Sequence, residues 1–359
     1  MEAHILQLLG LVFLLLFAAQ HAPAIAISSP RCQTQCGGVE IPYPFGVGLE
    51  CSLAPDFNVT CEVRDGISKP ALFNNIVELL EISLIHGTIR FLNPISASCY
   101  NRSSDKMEED PWWVNLRGTP YLFSDIHNKF TVIGCNTLAY IGYDINSPGY
   151  QSGCVSTCHN LSDLADGSCT GIGCCQTAIP KGMDTYFVGF DKNFNTSQIW
   201  NFSRCSYAVL MEAEAFNFST AYITTTEFND TASGQVAVVI DWAIRNGSMS
   251  CEVAKQNKEG TYACLSKNSD CVDSLNGPGY LCNCSKGYEG NPYLPDGCHA
   301  LGHLTADVDE CKYSPCPSGG ICHNTVGSYR CSCRVGRKLN GSGNSCDLDT
   351  RLIIGNNTL

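Results

Sequence analysis

The stretch Cys322-His323-Asn324-Thr325-Val326-Gly327-Ser328-Tyr329-Arg330-Cys331-Ser332-Cys333 decides how this chain is read. Cys311, Cys316 and Cys346 stand around it, and the segment opens on Asp307-Val308-Asp309-Glu310. Six cysteines between residues 311 and 346 leave little room for an apolar core. A unit this small buries too little surface to fold alone and needs cross-links. Each disulfide closing a loop of roughly 10–15 residues contributes about 2–4 kcal/mol, mostly by restricting the unfolded chain. This end of the chain therefore reads as short strands held by sulfur.

The same reading extends outward. The chain has 359 residues and 24 cysteines. Twelve cysteines lie between Cys32 and Cys205 and twelve between Cys251 and Cys346, with none between them. Each set is even and can close internally, which puts a boundary near residue 250. The expected fold is mainly β, disulfide-rich and multidomain: N-terminal cysteine-rich β modules followed by two small units. Ile82–Ile85 and Thr88–Leu92 alternate around His86-Gly87 and predict a hairpin. Ile76, Leu79, Leu80 and Leu84 also fit a helical stripe, so the segment before that turn stays open between strand and helix. Tyr121–Phe123, Phe130–Ile133 and the alternation Val236, Val238, Ile240, Trp242, Ile244 predict further strands.

Composition sets the compartment and excludes some functions. Residues 1–26 read as a signal peptide, with an apolar run from Ile5 to Ala19 and small-residue cleavage patterns at Ala22-Pro23-Ala24 and Ala24-Ile25-Ala26. Disulfides persist in oxidising compartments. Glycosylation sequons agree with that setting, at Asn58, Asn101, Asn160, Asn195, Asn201, Asn217, Asn229, Asn246 and Asn340. Two more stand at Asn283, crowded between Cys282 and Cys284, and at Asn356. No later stretch is long enough to span a bilayer, so the chain as written reads as secreted, extracellular or in the cell wall. The net charge of -12 argues against a nucleic-acid partner, which needs a basic face.

With these residues in view, Asp307 to Cys346 resembles a calcium-binding EGF-like domain. The acidic start and the pattern C-x-N-x4-Y-x-C-x-C are both halves of that signature. The resemblance implies a Ca2+ site. Asp307 and Glu310 supply carboxylates, Asn324 an amide oxygen, and Val308, Thr325 and Ser328 backbone carbonyls, with Tyr329 packed beside them. Calcium takes six to eight hard oxygen ligands, and two carboxylates suit a weak extracellular site on the order of 0.1–1 mM. The family pairing implies Cys311–Cys322, Cys316–Cys331 and Cys333–Cys346. Cys251, Cys264, Cys271, Cys282, Cys284 and Cys298 resemble a second, metal-free EGF-like unit, because Asn246-Gly247-Ser248 replaces an acidic start.

The wider pattern resembles the extracellular region of plant wall-associated receptor kinases. The residues that carry it are Cys36-Gly37-Gly38-Val39-Glu40-Ile41-Pro42-Tyr43-Pro44-Phe45-Gly46, Gly167–Gln176, Asp241-Trp242-Ala243-Ile244 and Gly287-Tyr288-Glu289-Gly290-Asn291-Pro292-Tyr293-Leu294. The resemblance implies this order: a galacturonan-binding-like module at 32–100, an associated cysteine-rich region at 101–248, EGF-like at 251–298, calcium-binding EGF-like at 307–346 and a tail at 347–359. It also implies binding of pectin or oligogalacturonides, with no residue assigned to that contact. The Pro-Tyr-Pro-Phe-Gly run reads as a scaffold of turns and buried rings. Such receptors continue into a membrane span and a kinase, and the kinase motifs are absent from this sequence. The alternative is a protein-interaction module or decoy receptor whose EGF-like units contact peptides or partner receptors.

Pectin is a polyanion, yet residues 28 to 210 carry 11 Lys+Arg against 17 Asp+Glu. A polybasic groove is therefore not expected. A local cluster among Arg31, Arg64, Lys69, Arg90, Arg102, Arg117 and Lys129, or bridging calcium, would have to serve. Trp112-Trp113 reads as one core ring and one surface ring, and Glu108-Glu109-Asp110 as a solvated loop. Catalysis is not expected. Adjacent carboxylates cannot flank a sugar bond, and no nucleophile elbow or H-E-x-x-H site occurs. Cys154 and Cys158 read as half-cystines, not zinc ligands.

Overall fold

The computed structural model describes residues 32–64, 66–73, 77–142, 150–214, 216–230, 233–245, 250–256, 262–301, 311, 316–317, 320–325, 328–333, 337–339 and 345–348. Among the described residues the fold is mainly β, with only short helical turns such as Ala221–Thr224, Glu227–Asp230 and Cys251–Gln256. The chain divides into two compact units. One joins residues 1–263 with 271–281, and the other joins 264–270 with 282–359. Residues 271–281, inside the expected EGF-like span 251–298, thus group with the larger unit.

Eighteen strands precede residue 250 in the larger unit. The first seven are β1 (Gln35–Cys36), β2 (Val39–Glu40), β3 (Gly46–Val47), β4 (Asn58–Arg64), β5 (Ile67–Leu72), β6 (Val77–Ser83) and β7 (Thr88–Pro94). Then come β8 (Ser96–Asn101), β9 (Lys106–Asp110), β10 (Trp113–Asn115), β11 (Tyr121–Phe123), β12 (Asn128–Ile133) and β13 (Thr137–Gly142). The last are β14 (Gln151–Ser156), β15 (Cys174–Thr177), β16 (Thr185–Phe190), β17 (Cys205–Glu212) and β18 (Gln235–Trp242). A seven-stranded sheet runs β11-β18-β7-β6-β5-β4-β3, a five-stranded sheet β15-β12-β17-β8-β9, and a four-stranded sheet β10-β16-β13-β14. Residues 32–100 and 101–248 interleave in these sheets, since β18 pairs with β7 and β17 with β8.

Local sequence explains the main elements. β6 and β7 form the hairpin around His86-Gly87, and the strand reading wins over the helical one at Leu79 and Leu80. Leu79, Ile89 and Phe91 are buried, so a period of two matches the buried face. β18 carries the clearest alternation and occupies an interior place in the sheet, with Val238, Ile240 and Trp242 fully buried. One expectation is corrected. Glu108, Glu109 and Asp110 are not a loop but lie on the edge strand β9, paired with β8, and all three remain exposed. Charged residues are a usual way to blunt an open sheet edge.

Two aromatic clusters fill the core. Phe45 packs edge-on against Phe57 and Trp242, both with centroids at 5.1 Å, and Phe57 against Trp242 at 5.9 Å. Such T-shaped pairs add to simple burial. Tyr121 joins them and donates to the carbonyl of Asp56 at 2.6 Å. The second cluster gathers Tyr207, Phe218, Ile223 and Phe228 around Cys135, Cys158 and Cys174. Buried amides link the sheets. Asn128 on β12 donates to the carbonyls of Ser124 and Val239 and accepts from the Val239 N–H. Asn93 on β7 donates to the carbonyl of Leu210 and accepts from Trp112 Nε1 and the Tyr186 hydroxyl.

Eight shorter strands follow: β19 (Ser269–Asp273), β20 (Tyr280–Cys284), β21 (Tyr288–Gly290), β22 (Cys298–Ala300), β23 (Gly320–Thr325), β24 (Ser328–Cys333), β25 (Arg337–Leu339) and β26 (Cys346–Leu348). The smaller unit has antiparallel ribbons β21–β22, β23–β24 and β25–β26. No cysteine is free. The first twelve cysteines pair as Cys32–Cys51, Cys36–Cys61, Cys99–Cys205, Cys135–Cys158, Cys154–Cys175 and Cys169–Cys174. Their partners at the other end are Cys251–Cys271, Cys264–Cys282, Cys284–Cys298, Cys311–Cys322, Cys316–Cys331 and Cys333–Cys346, so no bond crosses between the two sets.

Candidate functional site

The Cys36 to Gly46 run builds scaffold. Phe45 is buried in the aromatic cluster, and its N–H donates to the Pro42 carbonyl across a tight turn. Gly46 has no room for a side chain, because a Cβ would lie 2.1 Å from the Cys51 carbonyl oxygen. Cys36–Cys61 ties the run to β4. Phe45 thus serves the core, while Tyr43 is half-buried.

The cations proposed for an anionic ligand separate into different environments. Lys69 pairs with Glu78 at 2.8 Å. Arg90 on β7 reaches Glu212 at 2.7 Å and Glu81 at 3.2 Å, and its hydrogen bonds to Glu212 hold its pKa above the ordinary value. Arg117 sits 4.0 Å from Asp184. Lys129 is exposed on β12. Arg31 and the side chain of Arg64 lie outside the described residues. Among the described residues, Lys69, Arg90 and Arg117 thus face different carboxylates. Arg102 stands apart, exposed in the β8–β9 turn beside Trp200 and Arg204. Sequence reasoning singled out neither of the latter. The signal was the Cys99–Cys205 bond, whose pairing the sequence left open.

Trp112 and Trp113 divide as one half-buried ring and one 66% exposed. Trp113 lies on β10, an edge strand, close in sequence to the acidic residues of β9. Cys154 and Cys158 are both committed to disulfides. Among the described residues, the sequons at Asn160, Asn201 and Asn217 are exposed. Those at Asn58, Asn101, Asn195 and Asn229 are half-buried. Asn246 and Asn340 lie outside the described residues, as does the signal segment 1–26.

A polar seam in the larger unit was also missed. Asn276 donates to the Phe123 carbonyl and to Asp241 Oδ2 at 2.8 Å, while its own oxygen accepts from the Gly182 N–H. Arg245 donates to the carbonyls of Pro120, Asn276 and Pro278. Burial raises the Asp241 pKa and lowers that of Arg245. This seam fixes residues 274–281 against the end of β18. No motif announces such an amide.

Of the six residues proposed for calcium, Asp307, Val308 and Glu310 lie outside the described residues. The backbone at the other three forms a tight ribbon, with Thr325 opposite Ser328 and Asn324 opposite Tyr329. Cys311, which follows Glu310 directly, is bonded to Cys322 with Cα atoms 5.5 Å apart. Cys311 is thus bonded two residues from Asn324 in sequence. The donor set is oxygen throughout and suits a hard cation. Among the described residues, no group of three or more His, Cys, Asp or Glu gathers as a metal site.

Comparison with known proteins bears on both regions. A family model for wall-associated receptor kinase galacturonan-binding matches residues 32–93, and one for the calcium-binding EGF domain matches residues 307–346. Wall-associated receptor kinase 5 of Arabidopsis thaliana is 34% identical over 359 residues, covering 98% of this chain and 44% of that protein. Wall-associated receptor kinase 2 of the same plant is 33% identical, covering 89% of this chain and 40% of that protein. Wall-associated receptor kinase 4 is 32% identical, covering 88% and 40%. The chain spans less than half the length of these relatives. No helix among the described residues is long and apolar enough to cross a membrane.

Proposed function

Because this chain is homologous to the wall-associated receptor kinases over nearly its whole length, we propose that it binds pectin or oligogalacturonides outside the cell, without catalysis of its own. The observation that carries the reading is the galacturonan-binding match over residues 32–93. Those residues supply five of the seven strands in the largest sheet. An extracellular or cell-wall location accords with fully paired cysteines and with sequons at exposed positions.

In the same reading, Ca2+ is held by Asp307, Glu310 and Asn324 with the carbonyls of Val308, Thr325 and Ser328. The calcium-binding EGF match over 307–346 supports this. The ion would supply a charge bridge between an acidic segment and the β23–β24 ribbon. Those residues would orient it, and His323, offering nitrogen to a hard cation, stands outside the set.

Retention of the glycoprotein on de-esterified pectin, with calcium and with chelator, tests the first claim. Binding that resists washing at low salt is expected, and failure in both conditions would favour the peptide- or receptor-binding alternative. Asn324→Ala tests the second: calcium should no longer protect residues 307–346 from protease. A variant protected as well as wild type would remove Asn324 from the site.

A further inference from the structure

Three arginines and one lysine of the larger unit are already engaged, while Lys106, Lys129, Lys181, Lys192 and Lys255 are scattered exposed lysines. Lys69, Arg90 and Arg117 face carboxylates, and Arg245 spends its donors on loop carbonyls. Arg102 and Arg204 differ. Their guanidinium carbons lie 5.0 and 4.8 Å from the centre of the Trp200 ring. Both side chains are exposed, and among the described residues neither makes an ion pair or a side-chain hydrogen bond. Two positive charges with unspent N–H donors therefore meet at one ring, on a chain whose net charge is -12.

The backbone holds this arrangement firmly. Arg102 opens the turn between β8 and β9, and Arg204 immediately precedes β17. β8 and β17 pair with Cys99 opposite Cys205, and these two cysteines are bonded. The Arg204 carbonyl accepts from the Tyr100 N–H at 2.9 Å and from the hydroxyl of Thr196, a fully buried residue, at 3.0 Å. Trp200 follows the helical turn Ser197–Ile199 and is half-buried. Asp105 in the turn and Glu108 on β9 are engaged elsewhere. Asp105 accepts from the Tyr100 hydroxyl, and Glu108 accepts from Asn101 and Ser104.

We propose that Arg102, Trp200 and Arg204 form a subsite for the carboxylates of an acidic oligosaccharide, outside the segment 32–93 that matches the galacturonan-binding family. This rests on the reading that the chain binds galacturonan. A guanidinium meets a carboxylate through two parallel N–H donors, which gives both charge and direction. The indole ring positions the two heads by cation–π attraction without neutralising them. A flexible exposed arginine would lose rotamer freedom on binding, and the ring has already removed much of that cost.

Trp200 makes the test direct. The glycoprotein is titrated with oligogalacturonate and with its methyl ester, at low and at physiological salt, read by calorimetry and tryptophan fluorescence. Wild type is expected to bind the acid form more weakly as salt rises, with a fluorescence change that Trp200→Phe removes. R102Q/R204Q is expected to weaken binding at least about tenfold, or 1.4 kcal/mol, with unchanged circular dichroism. Arg204→Lys, which keeps the charge but not the fork, should fall between. Wild-type affinity in R102Q/R204Q overturns the subsite and leaves galacturonan binding standing. Absence of binding by wild type overturns both. Equal affinity for the methyl ester overturns recognition through carboxylates.

Discussion

The strands β11, β18 and β7 and the ribbons beyond residue 282 are both antiparallel β structure, yet different forces hold them. Around β18 the buried side chains are Val238, Ile240 and Trp242, with Phe45, Phe57, Ile89 and Phe91 packed nearby in sequence-distant layers. In the smaller unit, the described residues that are buried and apolar are Cys264, Cys282, Pro292, Tyr293, Cys298 and Cys346. All but Pro292 and Tyr293 are half-cystines. The larger unit is stabilised mainly by area removed from water, the smaller by loops closed before folding begins. The difference teaches where each unit is vulnerable.

The largest effect should follow from emptying the aromatic core. Trp242 is fully buried, contacts Phe45 and Phe57, and donates from Nε1 to the Ser83 carbonyl. Trp242→Ala should cost about 3–5 kcal/mol through lost transfer energy and a cavity. Hydrogen exchange should then quicken across β6, β7 and β18 while the β23–β24 ribbon keeps its protection. Equal quickening in both would break the distinction.

A matched pair of disulfide removals sharpens it. Cys284→Ser with Cys298→Ser should cost about 2–4 kcal/mol and abolish amide protection over β21 and β22, where one ring cannot compensate. Cys99→Ser with Cys205→Ser opens a far longer loop, of 106 residues, yet β8 and β17 stay paired inside a five-stranded sheet. That variant should stay folded with a lowered Tm. Loss of the whole five-stranded sheet would show that sulfur, not packing, governs the larger unit as well.

The same physics decides what could be read from sequence. Periodic burial was legible: β7, β12 and β18 carry their apolar alternation in the open. The pairing over residues 311–346 came from the resemblance to a calcium-binding EGF-like domain and not from spacing alone, since six cysteines allow fifteen pairings. Pairing among the first twelve cysteines was not legible, because Cys99 and Cys205 meet only after β8 and β17 align. The acidic run at 108–110 misled, since exposed charge is common to loops and edge strands. Buried amides were invisible. Asn93 and Asn128 look like turn residues, and only three-dimensional neighbours reveal the carbonyls they satisfy. The Arg102, Trp200 and Arg204 grouping has that same character, being assembled from two distant segments.

Between the two regimes lies the polar seam at Asp241, Asn276 and Arg245, where hydrogen bonds rather than area or sulfur fix residues 274–281. Its contribution should be the smallest of the three and the most sensitive to pH. Burial raises the folded pKa of Asp241, against a lowering hydrogen bond from Asn276 and the attraction of His127, with Asp125 adding to the rise. A carboxyl raised in the folded state contributes its full stability below the unfolded value, near pH 4, and loses it as pH climbs through the folded value. Asp241→Asn stays neutral and still offers Asn276 an oxygen. It should therefore match wild type below about pH 4 and exceed it near neutrality by about 0.5–1 kcal/mol, a modest gain for one side chain. Thermal unfolding of both proteins from acid to neutral pH measures this directly. A variant less stable than wild type at neutral pH would mean that the attraction between Asp241 and the half-buried Arg245 outweighs the cost of desolvating the carboxylate, and the seam would then behave as an ion pair.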